Sequence, residues 1–345
     1  MTIAEAMNWA IALLPVLLLL AAFEWLDVFH LMTRKETAKL LGLGGLAAVL
    51  AYPVSGVFLD ALPLGFSVYS RFVAPWIEEA LKGTMVVWLF WRNRIGYKID
   101  AALSGFAIGA GFSLIENAIY LSRFSGFDPG IWLVRGLGTA VMHGGSVAIF
   151  ATLAHQCCEH EMLRSAGAWR LHPFHFLPGY GLAVAIHTAF NQFPDQPLIA
   201  MLLTAILVPL ALMAIFNLGG SEARNWLTGE SARHQADLDE LADGRLPDSD
   251  AGRAIGALAA NEPRVIDYWR LMTEIVLGAE RTMIERTADQ RLDRYAEADR
   301  ARFARLTELE AAIDRPTLLA LGRLMPFSRN DLWEVSELRE QLRRH

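Results

Sequence analysis

The chain has 345 residues, of which 54% are hydrophobic, and its mean hydropathy of +0.30 excludes an ordinary water-soluble protein. Its net charge of −6 gives no support for nucleic-acid binding. The charge is unevenly distributed, because residues 221–345 hold most of the charged side chains. The sequence therefore predicts a transmembrane domain over residues 1–220 and a soluble cytoplasmic helical domain over residues 221–345.

Seven apolar segments follow one another through the first domain, each close to the ~20 residues that cross the hydrocarbon core as a helix. They are centred on residues 8–30, 39–59, 75–92, 101–121, 132–157, 178–195 and 197–217. Residues 61–73 predict a short amphipathic piece at the membrane interface. The expected fold class is all-α, a polytopic bundle of about seven transmembrane helices followed by the cytoplasmic helical domain.

Lysine and arginine are enriched in alternate loops, and loops of this kind face the cytoplasm. The enriched loops hold Arg34, Lys35 and Lys39, then Arg92, Arg94 and Lys98, then Arg164 and Arg170, and finally Arg224. This bias predicts an N-terminus outside the cell and a C-terminal domain in the cytoplasm, which requires an odd number of spans.

Four of the apolar segments carry polar side chains that are costly inside a membrane and therefore indicate a functional site. These are Glu78, Glu79 and Lys82 in the third segment, Glu116 in the fourth, His143 in the fifth, and His187 with Asn191 in the sixth. On the predicted topology they all fall in the outer half of the membrane. A shared depth favours one site over scattered structural contacts.

The residue types suit hydrolysis by activated water. Glu78 and Lys82 are four residues apart and can pair on one helix face, whereas Glu79 is rotated by about 100°. One carboxylate would be a general base and the other a structural or metal partner, while histidine or Asn191 would stabilise an oxyanion. Neither a His-Glu-x-x-His zinc motif nor a Gly-x-Ser-x-Gly nucleophile motif occurs in the sequence. Peptide-bond hydrolysis is the reaction that these groups favour.

Two other classes of function stay open at this point. Buried glutamates and histidines also form proton relays in transporters, although transporters usually contain internal repeats, and no repeat is visible between the halves of this chain. A catalytically inactive membrane scaffold for the C-terminal domain is the second alternative. A scaffold has no need to keep the full set of costly polar groups, so the enzyme is the favoured interpretation.

Four motifs, in order over residues 70–195, resemble those of the PrsW family of intramembrane proteases. They are Glu78-Glu79-Ala80-Leu81-Lys82 (EExxK), Gly111 to Tyr120 (GFxxxENxxY), Arg135 with His143 eight residues later, and His187 with Asn191 (HxxxN). Prenyl endopeptidases and bacteriocin-processing relatives share the first and last motifs but have histidine at the position of Glu116. With a glutamate at that position, this chain resembles the PrsW branch.

The resemblance implies a multi-pass protease of the bacterial inner membrane that cleaves membrane-anchored proteins near the extracytoplasmic side, as in site-1 cleavage of an anti-sigma factor. The candidate catalytic residues are Glu78, Glu79, Glu116, His143, His187 and Asn191. The resemblance accommodates a glutamate-only mechanism or a metal-assisted one with Zn²⁺ or another divalent cation. The metal ligands would then be Glu79, Glu116, His143 and His187.

Residues 221–345 mix both charge signs, and their apolar residues recur at helical spacing. Pro263, Pro316 and Pro326 are predicted helix starts or breaks, and residues 243–250 are a predicted loop. The many arginines predict a surface that faces water. A surface that binds a cytoplasmic protein partner is the more specific alternative. No catalytic pattern occurs in this region.

Overall fold

The computed structural model describes residues 3–26, 34–123, 129–164, 171–217, 232–285 and 292–342. These residues are helical almost throughout and include no β-strand. They fall into two compact units, one before residue 218 and one after residue 231. The predicted all-α membrane bundle is confirmed, whereas the predicted domain boundary near residue 220 lies outside the described residues.

The first unit, the membrane unit, is a bundle of long and short helices. In chain order these are α1 (Ile3–Leu26), α2 (Arg34–Ala61), α3 (Phe66–Phe72), α4 (Ala74–Trp91), α5 (Lys98–Arg123), α6 (Pro129–Val134), α7 (Ala140–Arg164), α8 (Leu177–Phe190) and α9 (Pro197–Asn217). A π-helical turn, Arg135–Thr139, joins α6 to α7. The helix α3 lies within the predicted interfacial piece, and its Phe66 and Phe72 are exposed.

Within the described residues, five helical stretches are long and apolar enough to cross a membrane: α1, α2, α5, the run of α6 into α7, and α9. The two other predicted spans are shorter or more polar. The helix α4 has 18 residues but contains three charged side chains, and α8 has 14 residues, or about 21 Å. The predicted segment 178–195 ends early because the chain leaves the helix at Asn191.

The helix α5 lies at the centre of the membrane unit and packs against α2 and α7. Every residue from Asp100 to Ser113 is buried. A Cβ atom at Gly109 would lie 2.0 Å from the backbone oxygen of His143, and one at Gly111 would lie 2.1 Å from that of Leu41. The glycines therefore allow the backbones of α7 and α2 to touch α5, as small residues do between membrane helices.

The second unit, the C-terminal unit, is a small helical domain. Its helices are α10 (232–242), α11 (Asp250–Ala259), α12 (Arg264–Glu285), α13 (Leu292–Ala312), α14 (Arg315–Leu324) and α15 (Arg329–Leu342). Pro263 precedes α12, Pro316 lies in the first turn of α14, and Pro326 follows its end, at the helix boundaries that the sequence predicts. The core of the unit surrounds Trp269 and Ile275, both of which are buried.

Candidate active site

Four helices bring the candidate ionisable residues together inside the membrane unit. Glu78, Glu79 and Lys82 come from α4, Glu116 from α5, His143 from α7, and His187 from α8. Most of them are buried, but the side chains of Glu78 and Glu116 remain 15% and 22% exposed.

Glu79 is the buried anchor of this cluster. Its Oε1 atom accepts a hydrogen bond from Lys82 Nζ at 2.6 Å and lies 2.8 Å from Nδ1 of His187. Its Oε2 atom accepts a hydrogen bond from Ser146 Oγ at 3.4 Å. A buried carboxylate with a paired ammonium and two further partners is well compensated. We infer that Glu79 holds its neighbours in place.

Lys82 connects α4 to two other helices. Its ammonium pairs with Glu79, three residues earlier, instead of with Glu78, the pairing that the sequence analysis considers. Both pairings are possible on a helix, because residues three and four apart share a face. The same ammonium lies 2.7 Å from Nδ1 of His143 and 4.2 Å from the ring centre of Phe112. An ammonium can only donate, so Nδ1 of His143 is the acceptor.

The two histidines face each other with perpendicular rings whose centres are 4.8 Å apart. Because Glu79 can only accept, Nδ1 of His187 carries the proton, and the lone pair of its Nε2 is directed into the site. Nε2 of His143 lies 3.3 Å from Oε2 of Glu116. With Nδ1 of His143 accepting from Lys82, this Nε2 carries the proton and donates it to Glu116.

Glu78 is the third carboxylate of this cluster. Its Oε2 atom is buried but makes no hydrogen bond within the described part of the chain. It lies 3.8 Å from Nε2 of His187. Glu78, His143 and His187 can each offer one ligand atom, and these atoms all lie within 4.8 Å of one another. A buried polar atom without a partner is costly, so this oxygen is the natural position for a water molecule or a cation.

Of the four residues expected as metal ligands, the two histidines are grouped with Glu78, and the expected set stays a prediction. The expected set is Glu79, Glu116, His143 and His187. Oε1 of Glu79 already contacts Lys82 and His187. Oε2 of Glu116 lies 3.4 Å from Nη2 of Arg135. Glu78 takes the position next to the histidines. One carboxylate and two imidazoles are a donor set that suits Zn²⁺.

The π-helical turn brings Arg135 onto the same helix face as His143. Residues eight apart on an uninterrupted α-helix are about 80° apart around the axis. The turn Arg135–Thr139 takes up one extra residue, so the eight residues complete about two full turns and the side chains align. Both contact Oε2 of Glu116, and the guanidinium also lies 3.8 Å from the ring centre of Tyr120.

Asn191 follows α8 and makes its hydrogen bond away from the carboxylates. Its Nδ2 atom donates to the backbone oxygen of Ser70 at 2.9 Å and so ties the end of α8 to α3. This bond commits one amide N–H to a structural contact. The expected role of Asn191 in stabilising an oxyanion stays a prediction.

Ser146 is a site residue that the sequence analysis missed. It is fully buried, and its hydroxyl lies within hydrogen-bond distance of Oε2 of Glu79 and of the backbone oxygen of His143. Its position three residues after His143, on the same helix face, was the available signal. Serine is common on packed membrane helices, so that spacing alone did not single it out.

The chain matches the family model described as PrsW family intramembrane metalloprotease over residues 34–218, which is more than half of its length. No curated protein and no solved structure matches it. The matched region contains every helix that contributes to the site, and the bundle has helices suited to crossing a bilayer. The chain is therefore a membrane protein that belongs to the PrsW family of intramembrane proteases.

Proposed function

We propose that this protease cleaves membrane-anchored proteins near the extracytoplasmic side of a bacterial inner membrane, with Glu78 as the carboxylate that activates water. The observation that carries this assignment is the buried Oε2 of Glu78, which makes no hydrogen bond in the described residues and lies 3.8 Å from Nε2 of His187. The alternating loop charges support the extracytoplasmic position of the site. The membership of the family supports peptide hydrolysis.

In this mechanism Glu78 accepts a proton from water while the water oxygen bonds to the scissile carbonyl carbon. The proton is then delivered to the amide nitrogen as the C–N bond breaks. The Nε2–H of His143 makes only a long 3.3 Å contact with Glu116, so it is the donor available to the developing oxyanion. Glu79 and Lys82 fix the orientation of the two histidines.

The residues present also fit the metal ion that the family description names. Oε2 of Glu78 makes no hydrogen bond in the described residues, and Nε2 of His187 presents a lone pair. His143 would have to give up the proton on Nε2 and its contact with Glu116 to bind the ion, because its Nδ1 accepts from Lys82. A divalent cation held by these three residues would polarise the carbonyl and make its bound water more acidic. With Glu78 engaged in this way, Glu116, which pairs with Arg135, would be the carboxylate left to act as the base.

The first experiment compares new protein N-termini by mass spectrometry in membranes from cells that express the wild type or Glu78→Gln. We expect cuts in or just outside the outer part of single-pass substrates, present with the wild type and absent with the variant. Asp60→Asn is the control, because it removes an exposed carboxylate at the end of α2. Identical N-termini in all three samples would reject the protease site and favour a scaffold.

A second experiment tests metal assistance with the purified enzyme and a substrate from the first. We expect chelation to lower the cleavage rate at least tenfold, and stoichiometric Zn²⁺ to restore it. Cleavage that continues unchanged after the metal content has fallen to zero would establish the glutamate-only mechanism.

Arg135→Lys should lower kcat about tenfold and leave KM nearly unchanged. The lysine retains the charge but loses the flat contact with Tyr120 and the fork that holds Glu116 beside His143. Arg123→Lys is the matched control, since Arg123 also stacks on a tyrosine, Tyr52, but contacts none of the site residues in the described structure. An equal loss in the two variants, or a change in KM alone, would contradict a positioning role for Arg135.

A further inference from the structure

A second cluster of ionisable side chains lies in the C-terminal unit, where three helices contribute one residue each. His234 comes from α10, Glu280 from α12 and Asp331 from α15. His234 and Asp331 are each 3% exposed, and the side chain of Glu280 is 15% exposed. One ligand atom from each residue lies within 4.8 Å of the others. The proposed protease mechanism uses none of these residues.

The imidazole of His234 is oriented as a metal-binding histidine is. Its Nε2 atom lies 3.3 Å from the backbone oxygen of Pro326, to which it can only donate, so the lone pair belongs to Nδ1. Nδ1 is buried, makes no hydrogen bond in the described residues, and faces Oε1 of Glu280 at 3.6 Å. A lone pair and a carboxylate oxygen repel each other in a buried space unless a cation lies between them.

Asp331 is held in a fixed orientation on the other side of the ring. Its Oδ2 atom accepts a hydrogen bond from the backbone N–H of Ser328 at 2.7 Å, and Ser328 Oγ accepts one from the backbone N–H of Asp331 at 3.2 Å. Oδ2 lies 3.6 Å from Nε2 of His234. Phe327 packs against the imidazole, with ring centres 5.6 Å apart. His234 and Asp331 are thus held by the fold, and the Asp331 carboxylate, which faces Nε2, has to turn towards Nδ1 to reach the ion. One ligand atom of each of the three residues lies within 4.8 Å of the others.

The spacing and the charge of the cluster both favour a divalent cation. Direct N–H···O bonds are about 2.9 Å long, whereas two ligands that each lie ~2.1 Å from one tetrahedral ion are ~3.4 Å apart, which is close to the 3.6 Å between Nδ1 of His234 and Oε1 of Glu280. A neutral imidazole with two carboxylates carries two negative charges. A divalent cation neutralises them, whereas a proton on His234 leaves one buried charge uncompensated.

We propose that His234, Glu280 and Asp331 form a divalent metal site, with Zn²⁺ as the best match to one nitrogen and two carboxylate donors. The ion joins α10 to α12 and to the start of α15. Its binding stabilises the C-terminal unit and makes the stability of that unit respond to the divalent metal supply.

The test uses the full chain in detergent, stripped with a chelator and then titrated with Zn²⁺. Bound Zn²⁺ per chain is measured after gel filtration, and the melting temperature is measured with and without the ion. We expect Zn²⁺ to raise the melting temperature of the wild type. Glu280→Gln and His234→Gln should weaken this binding at least tenfold. Glu274→Gln is the control, because Glu274 lies on the same helix but pairs with Arg302 instead.

The residues in the membrane unit could also bind Zn²⁺, so the same comparison is repeated in a Glu78→Gln background. The Glu280→Gln variant should lose one bound ion in both backgrounds. The proposal is overturned if Zn²⁺ leaves the wild-type melting temperature unchanged, whatever the variants do. It is also overturned if the loss follows Glu78 alone, or if the stripped chain responds to pH through His234 without binding Zn²⁺.

Discussion

Glu78→Gln and Glu79→Gln should have different effects on the stability of the fold, although the two residues are neighbours. Glu78→Gln is expected to lower the rate of substrate cleavage by about 10²- to 10⁴-fold and to leave the melting temperature close to that of the wild type. Oε2 of Glu78 makes no hydrogen bond within the described residues, so the amide disturbs no contact of that atom. The measurements are cleavage of a purified substrate and thermal unfolding in detergent.

Glu79→Gln should instead destabilise the fold by about 3 kcal/mol, because it leaves the fully buried ammonium of Lys82 without its counter-charge. Activity would also fall, since a neutral amide oxygen orients His187 less strongly than the carboxylate does. The double variant Glu79→Gln/Lys82→Met serves as the control, because it removes both charges and should recover part of the stability. A stable Glu79→Gln protein together with an unstable Glu78→Gln protein would show that the two roles are assigned the wrong way round.

Gly109→Ala should be among the most damaging single substitutions in the chain. The added methyl group would lie 2.0 Å from the backbone oxygen of His143 and 2.7 Å from the Cα atom of Gly144, and backbone atoms cannot move aside as a flexible side chain does. The helices α5 and α7 have to separate, at a cost of about 3 kcal/mol or more. Since α7 carries His143, the separation should abolish cleavage as well as lower the melting temperature.

Gly181→Ala on α8 is the matched control for this substitution. A Cβ atom there meets nothing within 4 Å in the described structure. Alanine is the better helix former, so the melting temperature should stay the same or rise slightly. Equal melting temperatures for Gly109→Ala and Gly181→Ala would contradict the close backbone contact between α5 and α7.

The helical class and the ionisable residues that meet in the site were predictable because their signals are local. Hydropathy identifies a membrane helix within one segment, and a charged residue inside such a segment is conspicuous wherever its partners lie. The glycines of α5 likewise indicate close packing from their spacing alone. The family motifs added Arg135, which periodicity alone would have placed on a different helix face from His143.

The division of roles within the site depends on contacts between helices, and spacing along one helix cannot decide it. Lys82 can reach either Glu78 or Glu79 on its own helix. Where it pairs with Glu79, its ammonium also contacts His143 on α7 and Phe112 on α5. The alignment of Arg135 depends on a π-helical turn that hydrophobic periodicity does not reveal. The early end of α8 coincides with a hydrogen bond from Asn191 to Ser70 of α3, which hydropathy does not reveal.

The short helix α8 has a consequence for the lipid around it. A helix of 14 residues covers about 21 Å, whereas the hydrocarbon core is about 30 Å thick, so we expect the bilayer to be thinned where α8 faces it. Each cut consumes one water molecule, and the carboxylates proposed to activate it lie among apolar helices. A thinned patch shortens the distance that water has to travel from the membrane surface, and it gives a substrate's span a place to loosen its helical hydrogen bonds before it is cut.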